Sequence, residues 1–284
     1  MRVVVFASSP YSETGCAVAA RLSQAGYVPA GALTLPSWDR TTLLRKVGQW
    51  GFRDSYRYAA AKLGPRKSGR NEIRNPYLEK ILRYENSVFR SLNDVARQFK
   101  FPVVSCADQN SSRAVAQLRQ WSADLAIFTG GNILREETLK IFRLGVLNSH
   151  LALLPEIRGM SSPEWSLLAA VPLGITIHFM DRGIDTGPIL LRREFTVPPE
   201  CNSMIDLRNR MIAEGIELIV QSVSALDRGA ISPVPQDSQQ ASRETDNQFF
   251  VMHERLKIVA AANLGKIASS QSLNANRQSG LPRV

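Results

Sequence analysis

The chain has 284 residues, 44% of them hydrophobic, and carries a formal net charge of +10. That length suits one α/β domain of about 200 residues with additions, or two small domains, and no apolar run approaches the ~18–20 residues a membrane helix needs. Three cysteines, Cys16, Cys106 and Cys201, lie far apart in no Cys-x-x-Cys pair, which points away from a disulfide framework or a zinc site and toward a reducing cytoplasm.

Residues 3–7 are a continuous β-branched and apolar run and predict a buried first strand. The run is too short for a secretory core, and Ser8-Ser9 follows at once. A helix is expected over 15–25, stopped by Gly26, and a second strand over 28–35. Residues 36–85 are polar and basic, dotted with Trp38, Trp50, Phe52, Tyr56 and Tyr58, and read as partly helical. Next come a helix over 86–99, a short strand over 102–105, and a helix over 111–121 capped by Ser111 or Ser112. A strand over 124–128 enters the Thr129-Gly130-Gly131 loop, a short helix spans 135–141, and a strand over 145–148 ends at Asn148. A helix over 163–170, strands over 175–180 and 189–197, and a long amphipathic helix over 203–226 complete the pattern before Gly229.

Strands alternating with helices predict a Rossmann-like α/β fold: a mostly parallel, twisted sheet with helices on both faces and right-handed crossovers. Ligands of such sheets bind beyond the carboxyl ends of strands, where Asn148 and His150 fall. No Gly-x-Gly-x-x-Gly and no Walker sequence follows the first strand, so a dinucleotide or triphosphate site there lacks its signature. The domain reading is a catalytic domain over 1–229, with 36–100 as a basic insertion, and an extension over 230–284. In that extension only 249–264 has helical character, and the Ser-, Gln-, Asn- and Arg-rich residues 265–284 are expected to be disordered.

Charge is concentrated. Residues 40–100 hold fifteen Lys/Arg against five Asp/Glu, the whole of the chain's excess. Either this is a solvated basic helical face, or it is a patch for a phosphate-bearing substrate, nucleic acid or an anionic surface. Arg66, Lys67, Arg70 and Arg74 are its candidate contacts.

The polar residues able to do chemistry gather between Asn148 and Leu190. There are three histidines in the chain, His150, His178 and His253, and the first two bracket this segment. Asn148 precedes His150 by two, the spacing that puts alternate strand side chains on one face. His178 alternates with Thr176 in the same way, either as a packed core histidine or as a support to the site. Asp181 and Asp185 sit in a Gly-containing loop. An amide can donate to an oxyanion, an imidazole can move protons near neutral pH, and a carboxylate can orient that imidazole. The aspartates and histidines show no metal-ligand spacing.

In order, Asn148-x-His150, Leu154-Pro155, Arg158-Gly159, Thr176-x-His178 and Asp181-x-Gly183-x-Asp185-x-Gly187-Pro188 resemble the signature of the folate-dependent formyltransferase family. The resemblance covers residues 123–197 and, more loosely, 1–35. Leu151-Ala152 departs from it, standing where many members carry Pro-Ser. It implies Asn148, His150 and Asp185 as catalytic residues. Asn132, Ile133, Leu134 and Asp181 are implied around the donor, and Arg158 and Gly159 beside the substrate. It further implies 10-formyltetrahydrofolate as formyl donor, no metal, and a place in cytoplasmic one-carbon metabolism.

The acceptor is then a primary amine of a small molecule. Methionyl-tRNA formyltransferases carry a long C-terminal β-barrel, where this chain has polar residues after Gly229. Glycinamide ribonucleotide formyltransferases carry a Gly/Ser-rich phosphate loop that Ser8-Ser9-Pro10-Tyr11-Ser12 does not match. A nucleotide-linked amino sugar fits the basic insertion. Formyltetrahydrofolate hydrolysis and methionyl-tRNA formylation remain as alternatives, as does an inert binder of nucleic acid or an anionic surface on the same fold. A homodimer is compatible with all of these.

Overall fold

The computed structural model describes residues 1–36, 73–236 and 247–279. Arg66, Lys67 and Arg70, and the aromatic residues from Trp38 to Tyr58, lie outside the described residues. Seven strands form a mostly parallel sheet with helices around it, and the chain gathers into two compact units.

The N-terminal unit comprises Arg2–Ala123 and Thr129–Leu134. Strand β1 (Val3–Ala7) is buried at every position, as its unbroken apolar run requires of a strand covered on both faces. Helix α1 (Glu13–Gln24) follows, with Ser12 Oγ accepting from the Gly15 N–H as its cap. Strand β2 (Gly31–Thr34) runs parallel to β1, and β5 (Val103–Ser105) runs parallel to β2.

Between β2 and β5 lie α2 (Glu79–Leu82), the two-stranded pair β3 (Arg83–Tyr84) and β4 (Ser87–Val88), and α3 (Leu92–Phe99). This corrects the expected helix over 86–99, whose first residues are a hairpin. Glu85 takes a left-handed backbone (φ 50°) at the turn, which brings Tyr84 against Phe89 and Phe99 at ring-centroid distances of 6.2 and 5.3 Å. Burying that aromatic cluster outweighs helix propensity over so short a stretch. Ser91 then caps α3 by accepting from the Asp94 N–H. Helix α4 (Ser112–Trp121) is capped by Ser111, one of the two caps anticipated.

The C-terminal unit holds Met1, Asp124–Phe128 and everything from Arg135 onward. Strand β6 (Leu125–Phe128) and β7 (Gly145–His150) are parallel, with the short helix α5 (Glu136–Leu139) between them in sequence. After β8 (Arg158–Gly159) and α6 (Ser162–Leu168), β9 (Gly174–Phe179) pairs antiparallel with β7, and β10 (Ile189–Glu194) antiparallel with β9. The turn between β9 and β10 contains no helix, so the chain returns as a hairpin rather than through a crossover. Helix α7 (Met204–Asp227) is capped by Ser203 and lies on β7, β9 and β10. Its buried stripe includes Leu207, Met211, Gly215, Ile216, Leu218, Ile219 and Val223.

Past α7, strand β11 (Gln248–Phe249) pairs parallel with β8, and α8 (Glu254–Ser279) packs on α6. The expectation of disorder over 265–284 is corrected as far as Ser279, where α8 ends; residues 280–284 lie outside the described residues. The α8 sequence from Lys266 onward contains neither Gly nor Pro until Gly280, so nothing local breaks a helix once it is nucleated.

Candidate active site

Two alternating patterns meet across one strand pair. In the register of β7 against β9, Asn148 lies opposite His178 and His150 opposite Thr176. Asn-x-His and Thr-x-His therefore bring four polar side chains onto one face. Thr176 uses its hydroxyl twice, donating to the Ala152 carbonyl (2.7 Å) and accepting from the Leu154 N–H (3.1 Å). That fixes the start of the loop after β7. Ala152, where the sequence departs from the family pattern, is fully buried and enters this bond only through its backbone.

The aspartate arrives from the β9–β10 turn. Asp185 is in the left-handed region (φ 54°), an unusual position for a non-glycine residue. A Cβ at the following Gly187 would lie 1.9 Å from the Phe179 carbonyl oxygen, so glycine is the side chain that lets the turn fold back on β9. Asp185 Oδ2 lies 3.4 Å from His150 Nδ1 and accepts the Gly159 N–H at 2.8 Å. Asp185 Oδ1 lies 3.5 Å from His178 Nε2. The structure thus brings together Asn148, His150 and Asp185, and adds His178, which sequence reasoning had left between a core role and a supporting one.

Hydrogen bonds define the proton positions. His150 Nε2 lies 2.8 Å from the Ile157 carbonyl, which only accepts, so Nε2 carries a hydrogen and Nδ1 faces Asp185. His178 Nδ1 donates to the Phe179 carbonyl at 2.9 Å. With that hydrogen on Nδ1, the neutral ring presents a bare Nε2, which accepts from Asn148 Nδ2 at 3.3 Å. One amide hydrogen of Asn148 is thereby used and the other is left for a ligand. The two imidazoles stand edge to face, with centroids 6.3 Å apart and planes at 88°.

Burial and charge oppose one another here. His150, with a side-chain exposure of 6%, is pushed below the usual imidazole range by burial; the Asp185 charge pulls it back up, and His178 adds to the lowering. Burial raises Asp185, but the His178 ring beside it, the His150 ring and the Gly159 N–H outweigh it and hold the carboxyl at about 2. Asp185 is accordingly an anion throughout the neutral range.

The remaining candidates fall into two places. Asp181 closes its own loop, accepting from the Gly183 N–H (3.0 Å) and the Thr186 hydroxyl (2.6 Å). Arg158 is buried at 2% exposure, and its guanidinium donates to Gln236 Oε1 through Nε (3.3 Å) and Nη2 (2.8 Å). In the N-terminal unit, Asn132 exchanges two hydrogen bonds with Gln109: Asn132 Oδ1 accepts from the Gln109 N–H, and the Asn132 N–H donates to Gln109 Oε1. Leu134 is buried there, while Ile133 is 81% exposed. Sequence reasoning missed Gln236 altogether, because a lone polar side chain bonded to backbone leaves no periodic trace. Among the described residues no group of three or more His, Cys, Asp or Glu is arranged to hold a metal ion, and no helix is long and apolar enough to cross a membrane.

Residues 83–223 match the family described as formyl transferase. Methionyl-tRNA formyltransferase of Thermodesulfovibrio yellowstonii is 32% identical over 147 residues, 51% of this chain and 47% of that protein. The Deinococcus radiodurans enzyme of the same name is 39% identical over 129 residues, 45% of this chain and 40% of that protein. The matches thus span about half or less of the length of these curated relatives. Among solved structures, glycinamide ribonucleotide transformylase 1 from Symbiobacterium toebii superposes with a TM-score of 0.53 at 18% identity, over 84% of this chain and 94% of that one. An N-formyltransferase from Helicobacter canadensis, solved with folinic acid and dTDP-3-aminofucose, also gives 0.53, at 13% identity over 93% and 80% of the two chains. At those identities the structures speak for the fold. The matched span of the family model contains the whole Asn148–Asp185 cluster. Over residues 83–223, which hold Asn148, His150 and Asp185, the chain resembles the folate-dependent formyltransferases.

Proposed function

We propose that this protein transfers the formyl group of 10-formyltetrahydrofolate to a primary amine of a small metabolite, with a nucleotide-linked amino sugar as the acceptor class. The observation that carries the reading is a chain of contacts in which Asn148 bonds His178, His178 faces one Asp185 oxygen and His150 faces the other. The unprotonated amine attacks the formyl carbon. The free amide hydrogen of Asn148 donates to the oxygen that becomes negative in the tetrahedral intermediate. The proton released by the amine passes through solvent to His150 Nδ1, where Asp185 balances the imidazolium. The intermediate collapses with departure of the tetrahydrofolate nitrogen, which takes up a proton.

The exposed aliphatic side chain of Ile133, beside the buried Leu134, offers the apolar surface that a planar pterin ring would cover. The reciprocal Asn132–Gln109 bonds hold that loop in shape. In this reading Arg158 and Gly159 act on the substrate indirectly, by seating Asp185. The cytoplasm is the expected compartment, where reduced folates and nucleotide-linked sugars occur.

A second reading, methionyl-tRNA as the acceptor, is favoured by the curated relatives at 32% and 39% identity. Both readings share the donor and the chemistry, so one assay separates them. Purified protein is incubated with 10-formyltetrahydrofolate and either a panel of nucleotide-linked amino sugars or charged initiator tRNA, and the acceptor is weighed by mass spectrometry. A formyl mass gain on a sugar supports the first reading and a gain on the methionyl group the second. Folate turnover with no formylated acceptor would mean hydrolysis.

A further inference from the structure

Gln236, just beyond α7, has a side chain whose every strong hydrogen-bonding atom is engaged. Its Nε2 donates to the Asp185 carbonyl at 2.9 Å and to the Gly187 carbonyl at 2.8 Å. Its Oε1 accepts from the Arg158 guanidinium, whose Nε and Nη2 converge on it. The backbone beside it is tied to β10, because Val234 and Ile189 exchange N–H···O bonds of 2.8 Å in both directions. One amide thus grips both sides of the turn that carries Asp185, at the residue whose backbone is left-handed.

Arg158 makes this grip unusual. It is buried, no ion pair to it is found among the described residues, and its Nη1 is buried without a hydrogen-bond partner. A buried guanidinium held by a neutral amide alone is costly, and a fold that needed only packing there would be better served by an apolar residue. The same segment acts on the other side of Asp185. Gly159, whose N–H binds the carboxylate, lies in β8 against β11, with the Arg158 N–H donating to the Asn247 carbonyl at 2.8 Å. A Cβ at Gly159 (φ 92°) would come within 2.2 Å of the Phe249 carbonyl oxygen, so β8 and β11 are in close backbone contact at that point.

We infer that Gln236 is a positioning residue for the reaction: with Arg158 behind it, it sets the Asp185 turn at the distance from which the carboxylate reaches His150. The inference rests on the proposed role of His150 and Asp185 in formyl transfer. It makes residues 234–236 and 247–249 part of the active-site scaffold, rather than of an extension appended to a finished domain.

Two substitutions test it. Gln236→Glu keeps the side-chain volume and gives Arg158 a counter-charge, so the fold and melting temperature hold or rise. It also replaces the amide donor with a carboxylate oxygen facing two carbonyls, which pushes the Asp185 turn away. Gln236→Ala removes the grip entirely. In both, kcat is expected to fall about tenfold to a hundredfold, as a displacement of about 1 Å can produce, with the donor KM changed less than about threefold. A filler of space would instead lower the melting temperature and leave kcat of the folded fraction alone.

The activity-independent readout is the NMR titration of the His150 ring, assigned by its absence in His150→Ala. Asp185 and His178 are the titratable groups facing that ring. Moving Asp185 away removes the charge that favours the imidazolium, so the His150 midpoint should drop in both variants. Wild-type kcat in the folded variants overturns the proposal. If the wild-type protein formylates no amine, the functional reading fails, and the His150 titration then decides the role of Gln236 by itself, an unmoved midpoint overturning it.

Discussion

The N-terminal unit and the strands β7, β9 and β10 solve the same packing problem with opposite chemistry. In β1 and β2 every position is buried, and the one buried side-chain hydroxyl there, Thr34 Oγ1, has no hydrogen-bond partner among the described residues. In β7 and β9, burial is just as deep at His150, Thr176 and His178, yet each of these side chains is bonded. Parallel strands covered on both faces are served by apolar side chains. The antiparallel end of the sheet devotes one buried face to polar groups, where each must be held to offset its desolvation; Ser149 Oγ, on the other face of β7, is like Thr34 Oγ1 without a hydrogen-bond partner among the described residues. The proposed site lies on that held face.

The sharpest way to break this contrast is at the site itself. His150→Ala and Asp185→Asn are each expected to cut turnover by about 10²–10⁴, and Asn148→Ala by about 10²–10³, with the melting curve remaining cooperative. Two of the three retaining near-normal turnover in a stopped formylation assay would remove the mechanism.

The same substitution made in both regions sharpens it further. Thr176→Val deletes a hydroxyl that serves the Ala152 carbonyl and the Leu154 N–H, so it should cost about 2–3 kcal/mol by urea denaturation. Thr34→Val deletes a hydroxyl with no partner, so stability should be unchanged or rise by up to about 1 kcal/mol. Equal losses in the two variants would mean that the regions do not differ as described.

Acid provides a third probe. Asp185 is held at about 2, against a free value near ~4, so its ionised form contributes on the order of 2 kcal/mol to stability. A carboxylate lowered in the folded state gives this in full above the unfolded pKa and loses it as pH falls toward the folded one. The lowered His150 acts in the same direction: below its free value near ~6.5 the unfolded chain takes up a proton that the folded chain resists. Urea midpoints of the wild type and Asp185→Asn should therefore converge between about pH 5 and pH 2. Parallel curves would show that Asp185 is not depressed.

The two halves of α8 are expected to differ, and the smallest effect of all lies in the second. Leu264 is buried at 1% exposure, and Leu264→Ala should cost about 2–4 kcal/mol. Removing residues 267–284, which are poor in large apolar side chains, should shift the melting temperature by no more than a degree or two, readable by calorimetry.

What the sequence disclosed follows the same division. The buried runs of β1 and β6 are visible because nothing polar interrupts them, and the Ser111 cap is visible because a serine before a periodic stretch has a local meaning. That Asn148 and His150 share one face of a strand was legible from spacing; the role proposed for them came from the family resemblance. Their coupling to His178 was not, because it depends on the register between β7 and β9, a long-range property. The hairpin at residues 83–88 was hidden behind helix-compatible residues and is decided by the Tyr84, Phe89 and Phe99 cluster. Gln236 stood in a stretch whose composition suggested an appendage. A side chain that works by bonding remote backbone carries no signature in its neighbours.

The parallel pairing of β11 with β8 also orders events in time. A ribosome that has delivered α7 has already delivered Asn148, His150, His178 and Asp185, yet neither Gln236 nor the strand against Gly159 has emerged. Synthesis runs from the N-terminus, and contacts distant in sequence close last. The Asp185 turn, once made, therefore waits for the amide of Gln236 and for the strand that pairs with β8.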